Sequence, residues 1–222
     1  NSESLPVTRS SKRAPTAINR SRYDATTVML QRRFPRATLQ AHYTFAHAKA
    51  YGGSTGARGG AAAPMIYDQP FGPGEWGPTG NDERHRLVAT GVFDLAYGIQ
   101  FSPVFQTASA RPYNLTAGSD LNADGNNNDR YIDPATGKQM SINAARGDAT
   151  YVFDMRATKF VSLGSTDRRV GLFVEFFNVF NTVNFGGSYT GNARSATFRQ
   201  PTGFIPSIGY PRQAQLGVRF LF

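Results

Sequence analysis

Read at a period of two residues, the chain repeatedly sorts apolar side chains to one face and polar ones to the other, in stretches of similar length. Seven such stretches are present. Tyr23–Phe34 aligns Thr26, Val28, Leu30 and Phe34, and Ala37–His47 aligns Leu39, Ala41, Tyr43 and Phe45. His85–Leu95 aligns Leu87, Ala89, Gly91, Phe93 and Leu95, and Ile99–Ser109 aligns Ile99, Phe101, Pro103 and Phe105. Tyr151–Leu163 sets Phe153, Met155, Ala157 and Val161 against Asp154, Arg156 and Thr158, and Val170–Asn181 sets Val170, Leu172, Val174 and Phe176 against a face with Glu175. Arg212–Phe222 ends the chain with Ala214, Leu216, Val218, Phe220 and Phe222 on one face and Gln213, Gln215, Gly217 and Arg219 on the other. No helical period persists anywhere. The pattern predicts an all-β fold, an antiparallel meander of about seven strands.

The connections separate two all-β readings. Pro35-Arg36, Ala96–Gly98 and Gly164–Arg169 are short, residues 48–84, 110–150 and 182–211 are long, and the two kinds alternate strictly. Ordinary connections in soluble sandwiches run about 4 to 6 residues, so three long structureless loops argue against that fold. Tight turns on one rim and long loops on the other is the plan of an outer-membrane β-barrel, whose tilted strands need about 9 to 11 residues to cross. The apolar faces then meet lipid and the polar faces a wet lumen, the reverse of a soluble sheet.

Composition agrees. The 222 residues are 40% hydrophobic, 18% charged and 13% aromatic, enough for one sizeable domain and unlike a disordered polymer. Gly 23 and Pro 13 favour strands and irregular loops over a bundle. The absence of Cys removes disulfides and thiolate metal sites. No run of roughly 18 apolar residues is present, which excludes a helical span and leaves a barrel open. No basic stretch followed by an apolar one opens the chain, so no secretion signal is expected within it. The charge balance, 24 Lys+Arg against 15 Asp+Glu, raises nucleic acid as a partner. The basic residues are scattered, and the densest segment, Arg9–Arg22, reads as Ser/Pro-rich and solvated, with no recognition motif. No nucleic-acid partner is expected, and a surface facing anionic lipopolysaccharide suits the same balance.

Six segments carry a resemblance in addition to the pattern: SRYDATTVMLQRRFPRATLQAHYTFAHA, NDERHRLVATGVFDL, ARPYNLTAGSDLNADGNNNDR, DMRATKF, EFFNVFNTVNF and PRQAQLGVRFLF. In this order they resemble the C-terminal part of TonB-dependent outer-membrane receptors, of the Oar-like group that carries a carboxypeptidase-regulatory-like domain. The resemblance spans nearly everything from Ser21 onward and is specific as an ordered set. It implies an open part of a larger barrel of the roughly 22-strand type. It also implies a plug, the TonB energy-coupling protein as partner through that plug, and import of a solute too large or scarce for porins. Neither a plug nor a coupling box is recognisable in this chain, so the cycle is expected to need both from elsewhere. Residues 1–20 are expected to form an extracellular loop segment and 21–222 the barrel portion.

Gln215, Gly217, Phe220 and Phe222 match a polar-x-Gly-x-x-aromatic-x-aromatic pattern resembling the terminal assembly signal read by the barrel-assembly machinery. Aromatic residues of the membrane interface are expected at the same place. Catalysis has little support. Ser54 in GGSTG has the spacing of a nucleophile elbow, but ARGGAAAP after it is a poor helix, and the segment reads as a loop tip. His42 and His47 lie five apart on one strand and face opposite sides, with His85 distant, so no shared metal site is expected. No cofactor is expected, with one reservation. In DLNADGNNND, Asp120, Asn122, Asp124 and Gly125 reproduce the front half of a calcium loop, Tyr131 stands where its closing acid belongs, and Asp129 or Asp133 are the substitutes. The competing reading is an Asn/Gly/Asp turn cluster.

The function expected is therefore that of a C-terminal part of a TonB-dependent transporter. The alternatives are a small self-contained outer-membrane barrel with a structural or adhesive role, or a soluble sandwich binding module. Strand parity argues for the first, because complete bacterial barrels have even strand number. A seven-strand piece has two unpaired edges and is expected to be insoluble alone or to fold only by pairing with other strands.

Overall fold

The computed structural model describes residues 20–52, 69–164, 168–186, 189–205 and 208–221. Among them the chain forms β1 (Ser21–Phe34), β2 (Ala37–Tyr51), β3 (Trp76–Pro78), β4 (His85–Asp94), β5 (Ile99–Ala108), β6 (Pro112–Tyr113), β7 (Ala145–Arg146), β8 (Thr150–Ser162), β9 (Arg169–Phe177) and β10 (Gln213–Leu221). Alternating β-branched, aromatic and small polar residues make these segments fit a pleated surface. One sheet holds the order β1-β2-β4-β5-β8-β9-β10, with β3 also paired to β2, while β6 and β7 form a separate ribbon. Every pairing is antiparallel. Among the described residues β1 pairs only with β2 and β10 only with β9, so the sheet is open at both sides.

The register carries one face through the whole sheet. Leu30 opposes Ala41, Ala41 opposes Ala89, Ala89 opposes Phe105, and Phe105 opposes Phe153. Farther along, Ala157 opposes Val174 and Val174 opposes Leu216. The β4–β5 ladder skips Gly91 and Val92 opposite Pro103 and Ser102, where Pro103 has no N–H to donate, yet Pro103 stays in register with Met155 of β8.

Short turns join the strands at one rim. The β4–β5 turn places Tyr97 at φ 61° and Gly98 at φ 69°, and Leu95 N–H donates to the Ile99 carbonyl at 2.7 Å. Two successive left-handed residues match the right-handed twist of the strands they join. At the β8–β9 turn Leu163 N–H donates to Arg168 O at 2.9 Å, with Gly164 at φ 75°.

The other rim departs from the sequence-based expectation of structureless loops. β2 continues to Tyr51 and is joined there by β3, and the segment between β5 and β8 contains the β6–β7 ribbon and the bridges Thr116–Arg130 and Ile132–Gln139. β9 stops at Phe177, short of Asn181, because Asn178 turns the chain at φ 48°. Its side chain takes over the ladder's role: Nδ2 donates to the carbonyls of Thr182 and Tyr210, both at 2.9 Å, and Oδ1 accepts from Thr182 N–H at 2.9 Å. Of the expected loop segment 1–20 only Arg20 is described, and Ser54 and Phe222 lie outside the described residues.

Candidate functional site: the loop layer over the polar face

The two faces of the sheet differ in what covers them. On the polar face Ala46, Ala48, Ala50, Ala108 and Val152 are buried, Ala50 to 1% exposure, and Thr150 and Thr158 are buried beside them. On the apolar face Leu30 is 68% exposed, Leu172 49% and Leu216 84%. In water this arrangement is backwards: burying alanines while exposing leucines forgoes the transfer energy of the large side chains. It is correct where the surrounding solvent is hydrocarbon. Lys159, which shares the apolar face, bends its amine to the Tyr97 carbonyl at the short-turn rim, as a snorkelling lysine does.

What covers the polar face at the long-loop rim is a layer built by all three long connections. Asp82 is its hub. Its Oδ1 accepts from Ala48 N–H of β2 at 2.7 Å, and its Oδ2 accepts from Arg84 Nε at 2.9 Å and from Arg146 of β7. Arg146 also donates to the carbonyls of Asp82 and Ala110 at 3.0 and 2.8 Å, which ties the first long connection to the second. Burial alone would raise the Asp82 carboxyl, but the Ala48 N–H and the Arg84 and Arg146 guanidiniums outweigh it and hold it below the usual carboxylate range. Beside it Glu83 binds Arg86 at 2.9 Å and Arg111 at 2.6 Å.

Deeper in the layer Glu75 and Arg130 pair at 2.8 Å, each side chain 2% exposed. Asn143 Nδ2 donates to Pro78 O at 2.8 Å, and Ile142 and Leu115 are fully buried, giving the layer an apolar centre of its own. The third connection joins through Thr116 N–H to Gly191 O at 2.8 Å and Ala193 N–H to Thr116 O at 2.9 Å. Tyr113 stacks on Tyr189 with centroids 5.0 Å apart. The Tyr189 hydroxyl donates to Asp148, and burial together with that carboxylate raises its pKa well above the usual phenol value. Asn184, fully buried, pins the same connection to β8 by accepting from Tyr151 N–H at 2.8 Å and donating to Tyr151 O at 3.1 Å.

Below the layer the polar face presents a charged wall. Arg156 pairs with Glu175, which also accepts from Gln215, and the Arg156 guanidinium lies 4.5 Å from the Phe173 ring centroid. Gly217 sits directly opposite Phe173, whose ring occupies the space any side chain at that position would need. Gln215 and Gly217 of the proposed terminal signal therefore also hold places in the wall, while Phe220, 60% exposed, belongs to the apolar face.

The loop from Asp120 to Asp129 is held largely by its own hydrogen bonds. Asp120 accepts from Asp124 N–H at 3.2 Å and Gly125 N–H at 2.8 Å, Asp124 N–H also donates to Asn122 Oδ1 at 3.1 Å, and Asp124 Oδ1 accepts from Asn126 N–H at 2.9 Å. Asp129 Oδ2 accepts from Leu121 and Asn122 N–H, and its Oδ1 is buried without a hydrogen-bond partner among the described residues. The donor set is the hard oxygen that calcium takes, and in this arrangement the carboxylates of Asp120, Asp124 and Asp129 accept from the loop's own amides. Among the described residues no group of three or more His, Asp or Glu side chains is gathered as metal ligands.

The histidines differ from expectation in one respect. His85, distant in sequence, stands opposite Phe45 in the register, and both it and His47 pack on that ring, at 5.2 and 4.9 Å. His85 Nδ1 lies 2.7 Å from the Tyr43 hydroxyl. Cross-strand register, which no spacing along the chain reveals, brings them together. A family model described as an outer membrane beta barrel domain matches residues 10–142. No curated protein and no solved structure matches the chain.

Proposed function

We propose, because this chain belongs to the outer membrane β-barrel domain family, that it forms the C-terminal wall of a TonB-dependent receptor that imports a solute across the membrane. The protein resides in the bacterial outer membrane. The observation that carries the proposal is the pair of open edges. β1 and β10 run in the same direction, separated by five strands that alternate. Closing this sheet on itself would need a parallel seam, whereas bacterial single-chain barrels have even numbers of antiparallel strands. Left open in hydrocarbon, each unpaired N–H and C=O on those edges costs several kcal/mol. Further strands on both sides remove that cost, and the sheet is then a sector of a larger barrel. The ordered set of six segments resembling TonB-dependent receptors supplies the type. In this reading the Arg156–Glu175 wall lines the lumen, and the interlocked loops form part of the extracellular mouth where solute is first met.

The test uses the full-length protein isolated from outer membranes. An immobilised TonB periplasmic domain is expected to retain it, and absence of retention overturns the receptor reading. Paired cysteines at Gln31 of β1 and Gln215 of β10 are expected to form no disulfide within one copy. Efficient intramolecular bridging there would instead show a small barrel closed on its own strands.

A further inference from the structure

On the apolar face, immediately beyond the hydrophobic stripe at the long-loop rim, the character of the surface changes abruptly. Val28, Leu30, Tyr43 and Phe45 give way to Asp24 and His47, then Arg22 and Lys49, then Arg20 and Tyr51. Arg22 stands directly opposite Lys49, and Asp24 directly opposite His47. These side chains and Trp76 of β3 line a cavity of about 420 Å³. Their direction is fixed by their neighbours: Ala46, Ala48 and Ala50 alternate with them and are buried beneath the loop layer, so His47, Lys49 and Tyr51 project outward, away from the lumen.

Charge in this cavity does not balance. Arg22 pairs with Asp24 at 2.6 Å, which leaves Arg20 and Lys49 with no ion-pair partner among the described residues. Like charges facing each other across a strand pair destabilise it unless an anion lies between them. Tyr51 packs on Trp76 and on Phe71 with centroids 5.0 Å apart in both cases, forming an aromatic ledge at the level where such rings meet lipid headgroups.

We infer that this cavity binds a phosphate of a phosphorylated outer-leaflet glycolipid, lipopolysaccharide in a bacterial outer membrane, with the phosphate between Arg20, Arg22 and Lys49 and an acyl chain along Val28, Tyr43 and Phe45. The site goes beyond solute import: it lies on the outer wall and rests only on the membrane placement of the sheet. Arginine presents a planar donor fork to the phosphate oxygens and lysine a point charge, and the low-dielectric boundary strengthens both. The nearby hydrocarbon supplies the apolar contact that a free anion lacks.

The experiment places the full-length protein in zwitterionic phospholipid nanodiscs and reads bound lipid by native mass spectrometry, with lipid A as probe. Arg22→Gln with Lys49→Gln is expected to lower lipid A retention about tenfold or more, while Arg33→Gln, which removes a charge from the polar face of β1, leaves it unchanged. Lys49→Arg alone keeps retention, which separates loss of charge from loss of fold. Lipid A stripped of its phosphates is expected to be retained no better by the native protein than intact lipid A is by the double variant. Equal retention of intact lipid A by native and doubly substituted protein, or of intact and dephosphorylated lipid A by the native protein, overturns the proposal. Displacement of lipid A by inorganic phosphate alone would show a site for soluble anions and overturns it as well.

Discussion

The transmembrane sheet and the loop layer are held together by opposite means. In the sheet backbone ladders join every strand to its neighbours, most of the leucines point away from the protein, and the interior face mixes Ala, Thr and Gln with a few charges, valines and the Phe173 ring. In the loop layer regular ladders are a few residues long, and side chains do the joining: Asp82 to Arg84 and Arg146, Glu83 to Arg86 and Arg111, Glu75 to Arg130. The reason is the solvent each faces. Hydrocarbon offers no hydrogen bonds, so the backbone must satisfy itself and the side chains can be plain. At the aqueous rim irregular backbone is tolerated, but a layer without a large apolar core needs specific polar contacts to hold one shape. The Leu115–Ile142 centre and a few aromatic contacts such as Tyr113 on Tyr189 are a small hydrophobic contribution beside these ion pairs.

The sharpest way to break this contrast is at the most buried pair. Glu75→Ala leaves the Arg130 guanidinium, 2% exposed, without its carboxylate, and removing one partner of such a pair typically costs about 3 to 5 kcal/mol. Hydrogen exchange should quicken through residues 110–149 while the amides of β8 and β9 keep their protection. Equal loosening of the sheet would show that the two regions melt as one.

Next in size is a charge on the lipid side. Leu172→Arg, near the middle of β9, should cost roughly 2 to 4 kcal/mol at mid-bilayer depth, read as loss of heat-modifiable protein in the membrane, whereas Gln31→Arg on the polar face should be near neutral. Phe173 is unsuitable as that control, since its ring covers Gly217 and lies under Arg156. Equal effects of the two arginines would mean that the face assignment is wrong.

A smaller effect comes from pH. The Asp82 carboxyl titrates below its ordinary value in the folded protein, so its contribution is complete above the unfolded-state value of about 4 and is lost as pH falls through the lower, folded one. Fluorescence of Trp76, the single tryptophan of these 222 residues and a member of β3 beside the Asp82 latch, should stay constant from neutrality to about pH 5 and shift only below pH 4. A transition near pH 6 would assign the latch to another group. The smallest expected effect is that of calcium: because the loop's own amides already hold the Asp120 and Asp124 carboxylates and one oxygen of Asp129, its proteolytic protection should be the same in about 1 mM calcium and in chelator. Added protection that Asp120→Ala and Asp124→Ala abolish would restore the ion.

Legibility in the sequence follows the same division. The alternation of Leu39, Ala41, Tyr43 and Phe45 along β2, or of Val170, Leu172, Val174 and Phe176 along β9, is a local signal with a period of two, and the faces read from it are the faces observed. The end of β9 was less legible, since the residues from Asn178 to Asn181 continue a plausible strand until the left-handed turn at Asn178 is seen. Asparagine tolerates that conformation, which is a hint the spacing contained. Glu75 and Arg130 are 55 residues apart, and no local signal marks them as partners.

The sequence by itself determined that the chain makes amphipathic strands, that one face of them is mostly apolar, and that turns and long connections fall on opposite rims, because each of these is written in neighbouring residues. Tertiary structure alone decided that His85 meets Phe45, that Arg22 faces Lys49 on the outer wall, and that three separate connections lock into one layer. Those facts depend on register and on contacts between distant segments, where a shift of one residue would turn every side chain to the other face.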